Sequence, residues 1–323
     1  MRLSTLTNLY RTVDDCVSVY APRDAGWAAI KGELDEHGLE WPGLEALDEA
    51  ITAGLGPDDA GVAAFAWADL PAEAHGLPVP PERCLVVRQP LPYAAPLLEV
   101  AEISVPHVVV TVADEGSEVL TFRHDDESDL SSVDTDRESG FESLVVAVNA
   151  AARAVSAELA IVVAPDLDRH DLIDRLSAVV PVECEVTGLD PAEGDIADAT
   201  VRLVSDRTAR GTVEALQRFR FARSHDSVVE GVADTIDALE AGRVRLLLVH
   251  DDPDDDRRVW VGHGATHIAT SPSGFLGDVG GAVEVRLTDA AIRSCLLAGG
   301  RAHSIPEHLG DGPAEGIGAT LVT

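Results

Sequence analysis

Residues 228–249, VVEGVADTIDALEAGRVRLLLV, decide how this chain is read. The first part, VVEGVADTIDALEAG, has the amphipathic pattern of a helix closed by glycine. RVRLLLVHDD follows as a purely aliphatic strand. After a long polar interruption comes a second predicted helix, LTDAAIRSCLLAGG at 287–300. A short strand, RAHSI, and a glycine-rich tail, GIGATLVT, close the chain. Helix, strand, break, helix, strand and tail is the order of a compact α/β recognition domain. The segment carries no obvious nucleophile, no phosphate loop and no metal-ligand cluster.

The whole chain has 323 residues, enough for two or three domains with real cores. Hydrophobic residues make up 46% and aromatics only 4%, so the cores must be built from Val, Leu, Ile and Ala. The formal net charge is −33, and Lys31 is the single lysine among 24 basic residues. Such a surface repels itself and stays in solution. Two origins fit this composition. One is adaptation to high salt, where the Debye length falls to about 3 Å at molar concentration. The other is a GC-rich genome, which favours Arg, Ala, Asp and Gly. The acidity argues against simple phosphate-backbone binding at low salt. Cys16, Cys84, Cys184 and Cys295 lie far apart and form no CxxC, which points to buried free thiols in a reducing compartment. The start MRLSTLTNLYRTVDD lacks an apolar signal region, and no stretch has 18 uninterrupted apolar residues. A cytoplasmic protein with no membrane partner is expected.

Three α/β regions are expected. Residues 1–100 hold a short helix, the strand CVSVYAP, two amphipathic helices and the strands GVAAFAWADL and RCLVVRQPL. Between those last strands LPAEAHGLPVPPE reads as a proline-rich loop. PLPYAAPLLEVAEI, with Pro90, Pro92 and Pro96, reads as an inter-domain connector. Residues 101–205 read as a hairpin turning at Glu115-Gly116, an acidic stretch, and then helix, strand, helix and strand. Residues 206–227 read as a helical linker, and 228–323 as the third domain.

The order of these segments resembles the archaeo-eukaryotic peptide chain release factor superfamily, which includes the termination factor, Pelota, Balon and the Vms-type peptidyl-tRNA hydrolases. CVSVYAP is similar to the family's first strand. YAAPLLEVAEISVPHVVVTVADEGSEVLTF is similar to its passage into the middle domain, with Asp114 and Gly116 kept from a Val-Asp-x-x-Gly-Ala hairpin. ALEAGRVRLLLVHDD and EGIGATLV are similar to its C-terminal domain, departing at Thr320 and Val322. The resemblance implies an RNase H-like middle domain and a ribosomal-protein-like α/β/α C-terminal domain. It also implies a ribosomal A-site ligand that contacts rRNA, partnership with a translational GTPase, no DNA and no cofactor. Hydrolytic members carry Gly-Gly-Gln or another glutamine-bearing loop in the middle domain. Here the corresponding stretch, RHDDESDLSSVDTDRESG at 123–140, has no glutamine, and the chain's two glutamines are Gln89 and Gln217. No catalytic residue is therefore assigned. The alternatives are a Vms-type hydrolase or tRNA-clipping nuclease, and an acidic interaction protein that has left the ribosome.

Arg207, Arg210, Arg218, Arg220 and Arg223, interleaved with Phe219 and Phe221, are the candidate RNA-binding residues. Arginine binds phosphate bidentately and stacks on bases. The competing reading pairs these arginines with the abundant carboxylates and puts the phenylalanines in the core. Asp114, Glu115, Asp166 and Asp168 end two predicted strands and could hold metals, although Asp166 and Asp168 fit equally as helix caps. His263 and His267 have HxxxH spacing beside His250, but glycines make that segment a loop without a third ligand. No metal is expected. GIGA reads as a tight turn into a closing strand.

Overall fold

The computed structural model describes residues 3–322 apart from 37–43, 57–58, 68–69, 104, 114–115, 123–127, 134–140, 183, 193, 276–280 and 307–311. Two compact units result. Residues 101–211 form one, and 3–100 join 212–323 to form the other.

The first region of the composite unit starts with α1 (Leu3–Leu9), β1 (Cys16–Pro22), α2 (Gly26–Glu36) and α3 (Leu44–Gly54). It continues through β2 (Gly61–Trp67), β3 (Glu73–Leu77), β4 (Leu85–Gln89) and α4 (Ala95–Ile103). The strands form an antiparallel sheet in the order β3-β2-β1-β4. Strand alternation sends Val17, Val19 and Ala21 to one face, where Ile30 and Leu34 of α2 and Leu47 and Ile51 of α3 cover them. The other face carries Ser18, Tyr20, Phe65 and Trp67, and it too is buried. Tyr20 packs edge-on against Phe65 and Tyr93, with centroids 6.2 and 5.8 Å away. Two expectations are corrected. The proline-rich loop contains β3, which fits between Pro71 and Pro78 because an edge strand tolerates flanking prolines. The connector contains α4, which starts just after Tyr93 and Ala94 and places Pro96 in its first turn, where a missing N–H costs nothing.

Residues 101–211 contain β5 (His107–Ala113), β6 (Gly116–Phe122), β7 (Ser128–Val133), α5 (Glu142–Val155), β8 (Leu159–Val163), α6 (Asp166–Ser177), β9 (Glu185–Leu189) and the start of α7 (Ile196–Arg223). The sheet order is β7-β6-β5-β8-β9. The first three strands are an antiparallel meander, and β8 and β9 are parallel to β5. This is the RNase H-like arrangement. LAIVV of β8 has no polar alternation because both faces are covered. Leu144, Val148 and Ala152 of α5 and Leu172 and Leu176 of α6 lie on one face. Ile196, Leu203 and Val204 of α7 lie against Val109 and Ile161 on the other.

The last region adds β10 (Val228–Glu230), α8 (Val232–Glu240), β11 (Val244–Val249), β12 (Arg258–Val261), β13 (Ile268–Ala269), β14 (Val283–Arg286), α9 (Leu287–Leu297), β15 (Arg301–Ser304) and β16 (Ile317–Leu321). The main sheet runs β10-β16-β11-β15, with β11 and β15 parallel. Leu246 and Leu248 of β11 meet Phe219 and Leu216 of α7. Alternation turns Leu247 and Val249 to the opposite face, where α9 packs. The result is an α/β/α sandwich. The expected helix over VVEGVADTIDALEAG begins only at Val232. Its first residues form β10, and Gly231 makes the corner at φ 79°. The polar interruption is not merely a break, since it holds a second small sheet ordered β13-β12-β14.

The tail is held by strain and close approach. Glu315 has φ 56° and Gly316 φ 70°, a left-handed corner that L-residues other than glycine adopt at a cost. A Cβ at Gly318 would lie 2.6 Å from Pro313 and 3.0 Å from the Phe219 ring, so the strand reaches its place only as glycine. The Glu315 carboxylate accepts the Val232 N–H at 2.8 Å, satisfying the first turn of α8. Arg257 donates to the Glu315 carbonyl at 2.8 Å. Glu315→Ala is expected to lose the cap and about 1 kcal/mol. Urea unfolding against Glu315→Gln, which keeps an acceptor, checks it. Equal stability of all three proteins would show that the cap contributes nothing.

Candidate functional site

The stretch 123–140 is where a catalytic loop is expected. Part of it is a strand: residues 128–133 pair with β6 from Ser128↔Phe122 to Val133↔Ser117. The Ser131 hydroxyl donates to the Val119 carbonyl at 3.3 Å and that of Thr121 to the Asp129 carbonyl at 3.2 Å. This corrects the reading of one continuous acidic stretch. The strand was hidden because Asp, Ser and Leu here have little β-propensity and only the neighbour supplies the pairing. Residues 123–127 and 134–140 lie outside the described residues. Phe141, which follows them, sits buried in the core at φ 62°. Neither glutamine belongs to this stretch of the sequence. Gln89 is buried at the end of β4 and Gln217 is exposed on α7.

The five candidate arginines lie on α7, which is longer than the linker expected from Asp206 and starts at Ile196. Arg207 pairs with Glu158 and Arg210 with Glu185, each at 2.9 Å. Arg218 pairs with Glu214 at 3.4 Å and Arg223 with Glu230 at 2.6 Å. Arg223 also lies over the Phe219 ring, 5.2 Å from its centroid. Arg220 is exposed. Phe219 is fully buried, whereas Phe221 is 68% exposed. Arg207 is mostly buried in its pair, whereas the Arg210 and Arg218 pairs are solvated, and solvated pairs are worth about 0–1 kcal/mol, so a polyanion can exchange with those carboxylates at small cost.

The remaining candidates separate. Asp166 and Asp168 are not caps. Pro165 holds the cap position of α6, both carboxylates lie in the first turn, and Asp166 pairs with Arg169. Asp114 and Glu115 lie outside the described residues. His250 engages the Ile305 carbonyl through Nδ1 at 3.0 Å, and His263 and His267 lie on a loop. Among the described residues no group of three or more His, Cys, Asp or Glu side chains gathers. The four cysteines are free. Burial pushes the thiols of Cys16 and Cys295 up to about 12 and that of Cys184 to about 11, and raises that of Cys84, which favours the protonated thiol at neutral pH.

One site was not anticipated. In α9, LTDAAIRSCLL, nearly every residue is buried, and two of them are charged: Asp289 and Arg293. Asp289 Oδ1 accepts the Tyr10 hydroxyl at 2.9 Å and the N–H groups of Ala94 and Ala95 at 3.1 and 3.2 Å. Its Oδ2 accepts Gln89 Nε2 at 3.2 Å and faces Arg286 Nη1 at 3.7 Å. Arg286 in turn donates to Asp251 Oδ1 at 2.7 Å and lies over the Tyr93 ring at 4.8 Å. Tyr93 donates to Asp251 Oδ2 at 3.3 Å. The backbone of Tyr93 is fixed as well: its N–H donates to Ser18 Oγ at 2.9 Å and its carbonyl accepts the Tyr20 hydroxyl at 2.6 Å. All three tyrosines of the chain thus serve one buried junction between the first and last regions of the composite unit. Burial raises the Asp289 carboxyl to about 6 against the pull of Arg286. It also raises the Tyr10 and Tyr20 hydroxyls well above their usual range. These groups bind and orient each other. The signal in the sequence was a pair of opposite charges one turn apart in an otherwise uncharged helix.

No helix among the described residues is long and apolar enough to cross a membrane. No family model matches the chain, and no curated protein matches it. Among solved structures it is similar to S. cerevisiae Dom34, a translation termination-like factor involved in RNA quality control pathways. That match has 13% identity, covers 99% of this chain and 93% of that one, and has a TM-score of 0.45. It is similar to archaeal Pelota as bound to the ribosome with ABCE1, at 14% identity over 99% of this chain and 94% of that one, TM-score 0.44. It is also similar to the archaeal translation termination factor, at 14% identity over 100% and 99% of the two chains, TM-score 0.26. These are structures of the superfamily that the sequence resembles.

Proposed function

We propose that this chain is a ribosome-associated factor of the release-factor and Pelota type that occupies the A site without releasing peptide. It would act in the cytoplasm through regions 1–100, 101–205 and 228–323, with 206–227 as a linker whose arginines face rRNA. A translational GTPase as delivery partner belongs to the same reading. The order of family-like segments along the sequence supports it. The observation that carries the non-hydrolytic part is the placement of the two glutamines. Gln89 is committed to Asp289 in a buried junction, and Gln217 lies on α7. Neither belongs to the 123–140 stretch, so no side-chain amide is available there to place water against an ester. Hibernation, rescue and protection of ribosomes are all compatible roles.

The test is sedimentation with purified ribosomes at physiological salt, together with a peptide-release assay on ribosomes carrying peptidyl-tRNA. Co-sedimentation that A-site tRNA competes away, with no release above background, is the expected result. Protein left in the supernatant with vacant, stalled and translating ribosomes alike would sink the proposal. It would favour the second reading, an acidic interaction protein, to which the carboxylate pairing of Arg207, Arg210, Arg218 and Arg223 also belongs. Release of peptide or clipped tRNA would instead make the chain an enzyme.

A further inference from the structure

We propose that the exposed arc of α7 around Phe221 is a stacking platform for an unpaired RNA base, flanked by phosphate-binding arginines. The inference deepens the functional reading above and rests on it. Phe221 is the one exposed Phe, Tyr or Trp side chain among the described residues, at 68%. Every other described Phe, Tyr and Trp side chain is buried or half-buried. The helical repeat explains its position. Ala215, Leu216 and Phe219 face the core, which turns Val213, Gln217 and Phe221, at i, i+4 and i+8, to solvent.

The ring is also held in place. His225 lies on it with centroids 4.3 Å apart and a 34° tilt. The imidazole is fixed in turn, because its Nδ1 is 2.8 Å from the Phe221 carbonyl and 3.0 Å from Ser224 Oγ. Ser224 Oγ donates to that same carbonyl at 2.7 Å. A pinned aromatic gives up little conformational freedom on binding.

Charge chooses the occupant. In a chain of net charge −33, three arginines fall within three residues of Phe221: Arg218, Arg220 and Arg223, of which Arg218 pairs with Glu214 and Arg223 with Glu230 in solvated ion pairs that a phosphate can displace. Arg218 is on the exposed arc with Phe221, and it pairs with Glu214 at 3.4 Å with both side chains in solvent. Basic side chains beside an exposed ring match single-stranded RNA, where phosphates meet guanidinium groups and a splayed base covers the ring. Duplex nucleic acid offers no free base face, and an acidic protein surface would use the arginines and leave the ring without a partner.

The experiment measures binding of the full chain to a labelled single-stranded RNA decamer at physiological salt, and to an abasic ribose-phosphate chain of equal length. Phe221→Leu keeps the apolar bulk and removes the stacking face. It is expected to weaken RNA binding by roughly five-fold or more and to leave abasic binding unchanged. Arg218→Gln should weaken both ligands. Since Phe221 is exposed, an unchanged melting temperature verifies the fold of the variant. The proposal is overturned if wild-type protein does not bind the decamer, or if Phe221→Leu binds it as wild type does. An equal loss on both ligands overturns it too, because the ring would then not read a base. If Phe221→Leu lowers ribosome binding with decamer affinity intact, the occupant is a protein and the proposal also fails. Failure of the broader reading is separable: it shows as absence from the ribosome pellet even where decamer binding depends on Phe221.

Discussion

Asp289→Ala is expected to destabilise the protein by roughly 3–5 kcal/mol, the largest effect of any single substitution in the junction. The residue has no solvent exposure, and four donors converge on its two oxygens: Tyr10, Gln89, Ala94 and Ala95. Removing the acceptor leaves them buried without partners, at about 1–3 kcal/mol each before relaxation. Asp289→Asn behaves differently. Its remaining oxygen can keep the three donors now held by Oδ1, the Gln89 amide can turn over to meet the new NH2, and Arg286 retains Asp251. A cost of about 1 kcal/mol or less is expected for it.

The pH dependence separates the two variants further. The Asp289 carboxyl is raised from 3.8 to about 6 in the folded protein, so the folded state binds this proton more tightly than the unfolded one. The group's stabilising share is therefore complete below the unfolded value and is lost as pH rises through about 6. Over that window wild type should lose up to ~3 kcal/mol relative to Asp289→Asn, which has no proton to release. Denaturant unfolding at several pH values checks both parts. An Asn variant as unstable as the Ala variant, or a gap to wild type that does not move with pH, would refute the account.

Arg293→Met is the second large expected effect, at about 3 kcal/mol or more. Arg293 is the largest side chain with no solvent exposure among the described residues. Its guanidinium donates to three backbone carbonyls, those of Tyr10 at 3.1 Å, His263 at 3.0 Å and Gly264 at 3.2 Å. Burial lowers its pKa to about 10, which still leaves it charged at neutral pH. It ties the end of α1 to the loop after β12, so Met would fill the space and orphan three acceptors. Arg293→Lys should rescue only part of the loss, because one ammonium cannot reach three carbonyls that a planar fork spans. Thermal unfolding of the three proteins decides it. Full rescue by Lys would mean that the charge matters and the fork geometry does not.

Much of the fold was legible because several elements announce themselves locally. CVSVYAP, LAIVV and VRLLLV are short, β-branched or aliphatic runs, and they became β1, β8 and β11. The helices α3, α5 and α9 carried apolar repeats with glycine or polar stops. The elements that were missed, β3, β7, β10 and the small β13-β12-β14 sheet, have weak intrinsic preference. EAHGL at β3 becomes a strand because the backbone of β2 offers a partner, and that partner lies outside any sequence window. The site was legible in the same uneven way. Five arginines on one helix were visible, while their carboxylate partners Glu158, Glu185 and Glu230 come from elsewhere in the chain or across a turn. Phe219 and Phe221 looked equivalent, and only the packing of α7 buried one and exposed the other.

By itself the sequence determined the α/β class, the positions of the strongest strands and helices, the family resemblance, and the lack of a glutamine in the stretch 123–140. Those properties reside in local periodicity and residue identity, which a linear chain displays in full. The tertiary structure alone decided that Gln89, Tyr10, Asp251, Arg286 and Asp289 share one buried junction. Tyr10 and Asp289 are 279 residues apart and meet at 2.9 Å. Desolvation and hydrogen bonding at that range depend on distance in space, and no spacing along the chain encodes it.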